Sequence, residues 1–426
     1  MKKPKASGFI GGTSIYLLSN ILNGIIPFIL LPVLTRYLSP SEYGEVAMFQ
    51  TLLGALGAFT GSVFVGAAGR KYYDSNLNRE ELAEFIGSCI QLISIFSTLV
   101  FIVLFIFQNQ FSEWLSLKTS YIIFAVITAA CSAIVSIRLG QWQVQKLALK
   151  FGIFQISQSL LNMLLSLLLV VVMFKGAEGR INAQIITTLI FSLTSLLLLN
   201  KDHLLKVFVW RKDYIREALK FGVPLIPHIA GGFLLTTVDR FVINREIGLA
   251  EAGIYMVAIQ LTAAINIVFD AINKAYVPWL FEKLKEDNQQ QKIKIVKFTY
   301  AWFALILIGA CLSFYIGPYI VVFIAGEQYS KAGEVIGWLA LGQGFQGMYL
   351  MVTNYIFYSK RTGLLSIASL SSGLLNIVLL FILIRLLDLE GASIAFAISM
   401  GIRFLLTWYI AHKRFSMPWF NFHLKV

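Results

Sequence analysis

The sequence predicts an all-α polytopic membrane protein whose twelve transmembrane helices fall into two matched halves. Three observations carry that reading. Of 426 residues, 58% are hydrophobic and 13% charged, with a mean hydropathy of +0.75. A soluble chain of this length needs two or three cores and a charged surface to cover them, so lipid must be the solvent here. Apolar runs of bilayer-crossing length recur along the chain without the period-2 alternation of a membrane barrel. Finally, of the 35 Lys and Arg, 26 fall in alternate loops and tails, 7 in the loops between, and Arg240 and Arg403 inside spans.

A helix needs about 20 apolar residues to cross. The spans cover roughly residues 10–37, 46–69, 84–107, 121–140, 153–174, 182–200, 221–243, 253–273, 298–325, 335–358, 363–386 and 391–411. The first apolar run follows three lysines, far exceeds a signal-peptide core and ends at no small-residue cleavage site, so it reads as an uncleaved helix. The Lys/Arg excess puts both termini on the cytoplasmic side, in accord with an even number of spans. The net charge of +13 is therefore a topology signal facing anionic lipid, not a nucleic-acid footprint. The loops are short; the two longest are basic, and LFEKLKEDNQQQKIKIVKF (280–298) predicts a helix lying at the interface.

The chain restarts halfway. Lys220–Gly253 opens on a basic run, enters an apolar segment containing Pro224, Pro227 and the pair Asp239-Arg240, and closes on a Gly-bearing loop. An offset of 209 lays Arg245, Glu251 and Gly253 on Arg36, Glu42 and Gly44; an offset of 212 lays Glu390-Gly391 on Glu178-Gly179. Such echoes mark repeat-built transporters. The expected organisation is a six-helix lobe over 1–200, a basic cytoplasmic linker over 201–220 and a second six-helix lobe over 221–426.

No P-loop, HExxH, CxxC pair or nucleophile elbow is present. Cys89, Cys131 and Cys311 each lie in an apolar segment and suggest neither disulfides nor a metal. What remains is polar residues inside spans, costly in hydrocarbon unless they face protein or water. Tyr16, Asn20, Asn23 and Pro27 share a face of the first span, suited either to helix–helix bonding or to cavity lining. His228, Gly232, Thr236 and Arg240 form a stripe on the seventh with Asp239 beside it; a structural pairing of Asp239 and Arg240 at the membrane rim is the plainer alternative. In the eighth, Asp270 either pairs with Lys274 at i+4 or takes up a proton or sodium ion. Gln343, Gln346 and Asn354 add polar lining to the tenth. Arg403 is the sharpest: about twelve residues into the last span, near Ser399 and Thr407, with no acid nearby in sequence. It must face a hydrated cavity, an anionic ligand or an acid from another helix.

Three motifs carry a family resemblance. LTRYLSPSEYGEVA (34–47) resembles the opening signature of bacterial oligosaccharide flippases of the polysaccharide-exporter family, related to multidrug and toxin extrusion exporters. The run from Asp239 to Ala258 resembles the mid-chain counterpart, and Asn376 through Gly391-Ala-Ser-Ile-Ala395 resembles the segment before the last span. The resemblance implies two pseudo-symmetric six-helix lobes around a central cavity, in the bacterial cytoplasmic (inner) membrane. It implies transport of a polyprenyl-diphosphate-linked oligosaccharide to the outer leaflet, for O-antigen, capsule or a related polymer. It further implies a gradient of protons or sodium as the drive, no cofactor or metal, membrane lipid and glycan polymerase or chain-length machinery as partners, and a monomer. The expected headgroup residues are Arg403, Arg240, His228, Asn20 and Asn23, and the ion-coupling residues Asp270 and Asp239. A multidrug cation antiporter is the first alternative, although its cargo would want more acids than Asp239 and Asp270. A membrane polymerase or ligase is the second, against which the lack of a sizeable soluble loop counts.

Overall fold

The computed structural model describes residues 6–74, 77–286, 288–359 and 363–419. Among the described residues all regular structure is helical, and the chain forms two compact units, Met1–Ala230 and Gly231–Val426.

The first unit contains α1 (Ala6–Tyr37), α2 (Pro40–Phe59), α3 (Ser62–Lys71), α4 (Arg79–Ile106), α5 (Gln108–Leu115), α6 (Thr119–Val144), α7 (Ala148–Ser166), α8 (Gly176–Lys201) and α9 (Lys212–Gly222). The motif Ser39-Pro40-Ser41-Glu42 starts α2 for a specific reason. The Glu42 N–H donates to Ser39 Oγ (3.3 Å) and the Ser39 N–H to Glu42 Oε2 (2.9 Å), a reciprocal cap with Pro40 in the first turn, where its missing N–H costs nothing. Asn78 and Glu81 repeat the device at α4. The expected second span is broken: Gly61, at φ +101°, ends α2, and α3 departs bent by 49°. A side chain there would be strained and would strike Ile93. Helix α6 packs against α2, α3, α4, α5, α7 and α8, and the core gathers Phe64, Phe85, Ile86, Cys89, Ile93 and Ile137.

The linker packs onto this unit. The Lys206 N–H donates to Ala83 O (3.3 Å), and α9 lies against α3 and α4. The division at Ala230/Gly231 therefore falls later than the one read from sequence, inside α10 (Ile226–Thr236).

The second unit continues with α11 (Val238–Glu246), α12 (Leu249–Lys285), α13 (Gln289–Ala325), α14 (Ala332–Tyr358) and α15 (Gly363–Arg414). The expected seventh span is interrupted at Thr237, so its polar stripe does not run on one helix. The break frees a carbonyl, and fully buried Asn376 supplies the donor: its Nδ2 reaches Leu234 O at 3.1 Å. The Asn of the third motif thus splices a broken helix. Helix α14 is central, packed against α12, α13 and α15. One end of the unit closes on an aromatic cluster, where Trp419 contacts Tyr300, Tyr355 and Trp408.

The repeat is visible in the backbone. Helices α2 and α12 start from Ser39 and Gly248, 209 residues apart. Gly176 (φ +54°) turns into α8, and Asp388 (φ +47°), 212 residues on, bends α15 at Leu387–Asp388. Gly179 and Gly391 then lie against the preceding helix, where a Cβ would come within 3.0 Å of Leu169 O and 2.1 Å of Leu383 O. Ten described helices are long and apolar enough to cross a membrane, and the bent α2–α3 pair makes an eleventh. Because α15 is two helices joined across a bend, the twelve expected spans are accounted for. Residues 280–298 form no separate interfacial helix. They extend α12 to Lys285 and begin α13 at Gln289, because acids and lysines with strong helix propensity continue both rods.

Candidate substrate-binding site

The polar residues of the second unit form a ladder through α14. Its helical spacing sends Gln343 and Asn354 toward α12 and Gln346 toward α15. Asn266 Nδ2 donates to Gln343 Oε1, and Asn354 Nδ2 to Asn273 Oδ1 at 2.8 Å. Arg403 Nη1 donates to Gln346 Oε1 at 2.9 Å, and its guanidinium lies 4.0 Å from the Tyr349 ring centre. Arg403 is half-buried, its Nε is buried without a partner, and no carboxylate pairs with it among the described residues. Ser399 and Thr407, on the same helix face, are fully buried with unpartnered hydroxyls. An amide and an aromatic face can position a guanidinium without neutralising it, which leaves its charge for an anion.

The acids behave differently. Asp270 pairs with Lys274 at 2.5 Å, both side chains about half exposed. Asp239 is fully buried in the first turn of α11, where the helix dipole favours a negative charge. Its Oδ1 accepts the Arg240 backbone N–H (2.9 Å), while Oδ2, the Tyr255 hydroxyl beside it and Arg240 Nε complete no ordinary hydrogen bond. Asp239 and Arg240 therefore form no ion pair with each other. Rather than sitting at an exposed rim, both are buried at a helix break.

In the first unit, Asn23 Oδ1 accepts from Ser159 Oγ, and the Tyr16 hydroxyl donates to Trp142 O at 3.3 Å. Asn20 is half-buried and makes no hydrogen bond among the described residues. This face of α1 binds α7 at Asn23. The His228 side chain lies outside the described residues.

Two buried cations escaped the sequence reading, which placed them in loops. Arg138 is inside α6, 1% exposed, ion-paired with Asp202 and stacked 4.0 Å from the Trp142 ring centre. Arg180 is buried inside α8 and donates to Asn162 Oδ1 (2.9 Å) and Ser166 Oγ (3.0 Å). The Arg138–Trp142 spacing of four residues was the available signal.

Two repeat-related units with broken spans, and charged groups held inside apolar helices, define a multi-pass helical membrane protein of internally duplicated design. The chain belongs to the polysaccharide biosynthesis protein family, whose profile matches residues 9–284. An uncharacterized membrane protein of Haemophilus influenzae is 27% identical over 366 residues, covering 85% of this chain and 87% of that protein. A "probable low-salt glycan biosynthesis flippase" of Haloferax volcanii is 21% identical over 404 residues, covering 91% and 80%. Among solved structures, an inward-facing multidrug resistance MATE family transporter of the MOP superfamily superposes with a TM-score of 0.69 at 16% identity, covering 94% of both chains. The lipid II flippase MurJ, inward closed, also gives 0.69, at 14% identity over 93% of this chain and 87% of that one. These two share the fold of this chain.

Proposed function

We propose that the protein is a flippase, moving a polyprenyl-diphosphate-linked oligosaccharide from the inner to the outer leaflet of the bacterial cytoplasmic membrane by alternating access. The observation that carries this is Arg403, a cation kept inside a span with no acid paired to it among the described residues. A sugar diphosphate cannot enter hydrocarbon without losing its hydration, whereas its polyprenyl tail is at home there. The protein must supply a wet, positively charged seat for the head, and a guanidinium forks onto phosphate oxygens as no ammonium does. Family membership and the relatives named for glycan flipping support the cargo class.

In this reading Arg403 binds the diphosphate with Arg240, and Asn20, Asn23 and His228 meet the sugars. Asp270 couples transport to a proton or sodium gradient by exchanging its Lys274 partner, with Asp239 as the second coupling acid. Both termini are cytoplasmic, and a monomer hands its glycan, of O-antigen or capsule type, to polymerase and chain-length machinery. A multidrug cation antiporter has the same fold. However, a cationic cargo would want a cavity rich in acids, and the spans set Asp239 and Asp270 against Arg240 and Arg403. Deleting the gene tests the proposal: lipid-linked oligosaccharide should accumulate on the inner leaflet. Unchanged lipid pools with normal surface glycan would refute it.

A further inference from the structure

The linker between α8 and α9 presents a feature that transport does not use. Phe208 is 103% exposed and Trp210 55% exposed, in a segment that is otherwise clamped. Gln91 Nε2 donates to both carbonyls flanking Phe208, Val207 O at 2.5 Å and Val209 O at 3.2 Å. Val207 packs on the core of the first unit, and the turn at Val207–Phe208 leaves Phe208 and Trp210 facing outward. Gly87 is the only residue type that fits beneath the strap, since a Cβ there would come within 2.1 Å of Lys206 O. Two cations fix the strap's ends: Lys206 bonds Glu80, and Arg211 Nε lies 3.0 Å from Glu84.

The anchor points give the depth. Both strap ends are held at the level of Glu80 and Glu84, while its tip is bonded to Gln91, seven residues further along α4. At 1.5 Å per residue Gln91 lies about 10 Å beyond Glu84 along α4. Its side chain leans back to a strap whose Lys206 carbonyl sits at Gly87, so the tip lies about 5–10 Å beyond that acid. From Phe85 to Ile106, α4 carries no charge, so Glu84 marks where that helix leaves the polar zone. The aromatic tip thus dips to the depth at which interfacial segments bury their apolar side chains, about 5–10 Å into the headgroup–acyl boundary.

We propose that residues 205–211 form a preformed wedge inserting Phe208 and Trp210 into the phospholipid leaflet on the linker side, with Lys206 and Arg211 at headgroup level. The partner is bulk phospholipid at the headgroup–acyl boundary. The inference is independent of the cargo. It explains why an aromatic side chain that touches no other part of the chain is held by two hydrogen bonds: its packing partner is lipid.

The test uses full-length Phe208→Cys protein in phospholipid nanodiscs, with Cys131 and Cys311 replaced by alanine and bimane on the new thiol. Phe208 makes no packing contact to lose, so the substitution spares the fold. Gln290→Cys, exposed at the start of α13, serves as the water-facing control. Nitroxide near the top of the acyl chain should quench the label at 208 at least about twofold more than nitroxide deep in the chain. Aqueous iodide should quench it far less than at 290. Gln91→Leu should abolish that depth preference by freeing the strap. Equal iodide quenching at 208 and 290, or no quenching by either lipid nitroxide, would overturn the proposal.

Discussion

Replacing Asp202 with alanine should destabilise the first unit more than any conservative core truncation nearby. The reason is what it leaves behind. Arg138 is 1% exposed, its Nε and Nη1 already lack partners, and among the described residues Asp202 is the one carboxylate paired with it. Breaking a buried pair from one side costs about 3–5 kcal/mol, because the remaining charge is uncompensated. Asp202 keeps 29% of its side chain accessible, so water can enter the gap and the lower end, about 3 kcal/mol, applies. Stacking on Trp142 persists and does not offset the loss. For a unit of this size that corresponds to a fall of about 6–12 °C in the thermal midpoint, measured in detergent by intrinsic fluorescence. The double variant Arg138→Met, Asp202→Leu removes both charges and should recover most of the stability. A shift below about 1 kcal/mol for Asp202→Ala, or no recovery in the double variant, would refute the buried-pair reasoning.

Three further outcomes are expected. Asn376→Leu leaves the Leu234 carbonyl of the broken seventh span without a donor and should cost about 1–3 kcal/mol in thermal unfolding, whereas a free helix break would show no change. Ser39→Ala removes the α2 cap at about 1 kcal/mol, so amide exchange in the first turn of α2 should quicken about fivefold while α6 is unaffected. Asp270→Asn should weaken the dependence of transport on the ion gradient in vesicles, and undiminished sensitivity to an uncoupler would remove Asp270 from coupling.

Hydropathy made the spans legible because length and apolarity alone decide what a bilayer accepts. The repeat was legible because its matched positions do backbone work: Glu42 caps α2, and Gly179 and Gly391 lie too close to the preceding helix to carry a side chain. The breaks at Gly61 and Thr237 fall on short polar stretches, Thr60-Gly61-Ser62 and Thr236-Thr237, which hydropathy averaged over a whole span hides. Arg138 looked like a loop cation because its compensating acid is 64 residues away. The ladder through α14 was visible only as unpartnered amides, because Gln346 and Arg403 are 57 positions apart. Sequence pattern reports which face a residue occupies; it does not report which helix meets that face. Arg403 was conspicuous for the opposite reason, as a charge that apolar neighbours could not explain.

Binding of a polyprenyl-diphosphate oligosaccharide to the purified protein, compared across wild type, Arg403→Lys and Arg403→Ala, tests the diphosphate seat most directly. Arg403→Ala should weaken binding at least about tenfold, the loss of one charge-assisted bond, and Arg403→Lys should recover only part of it because an ammonium cannot fork onto two oxygens. Equal affinity in all three, with Arg403→Ala folded and still flipping lipid-linked glycan, would contradict the assignment.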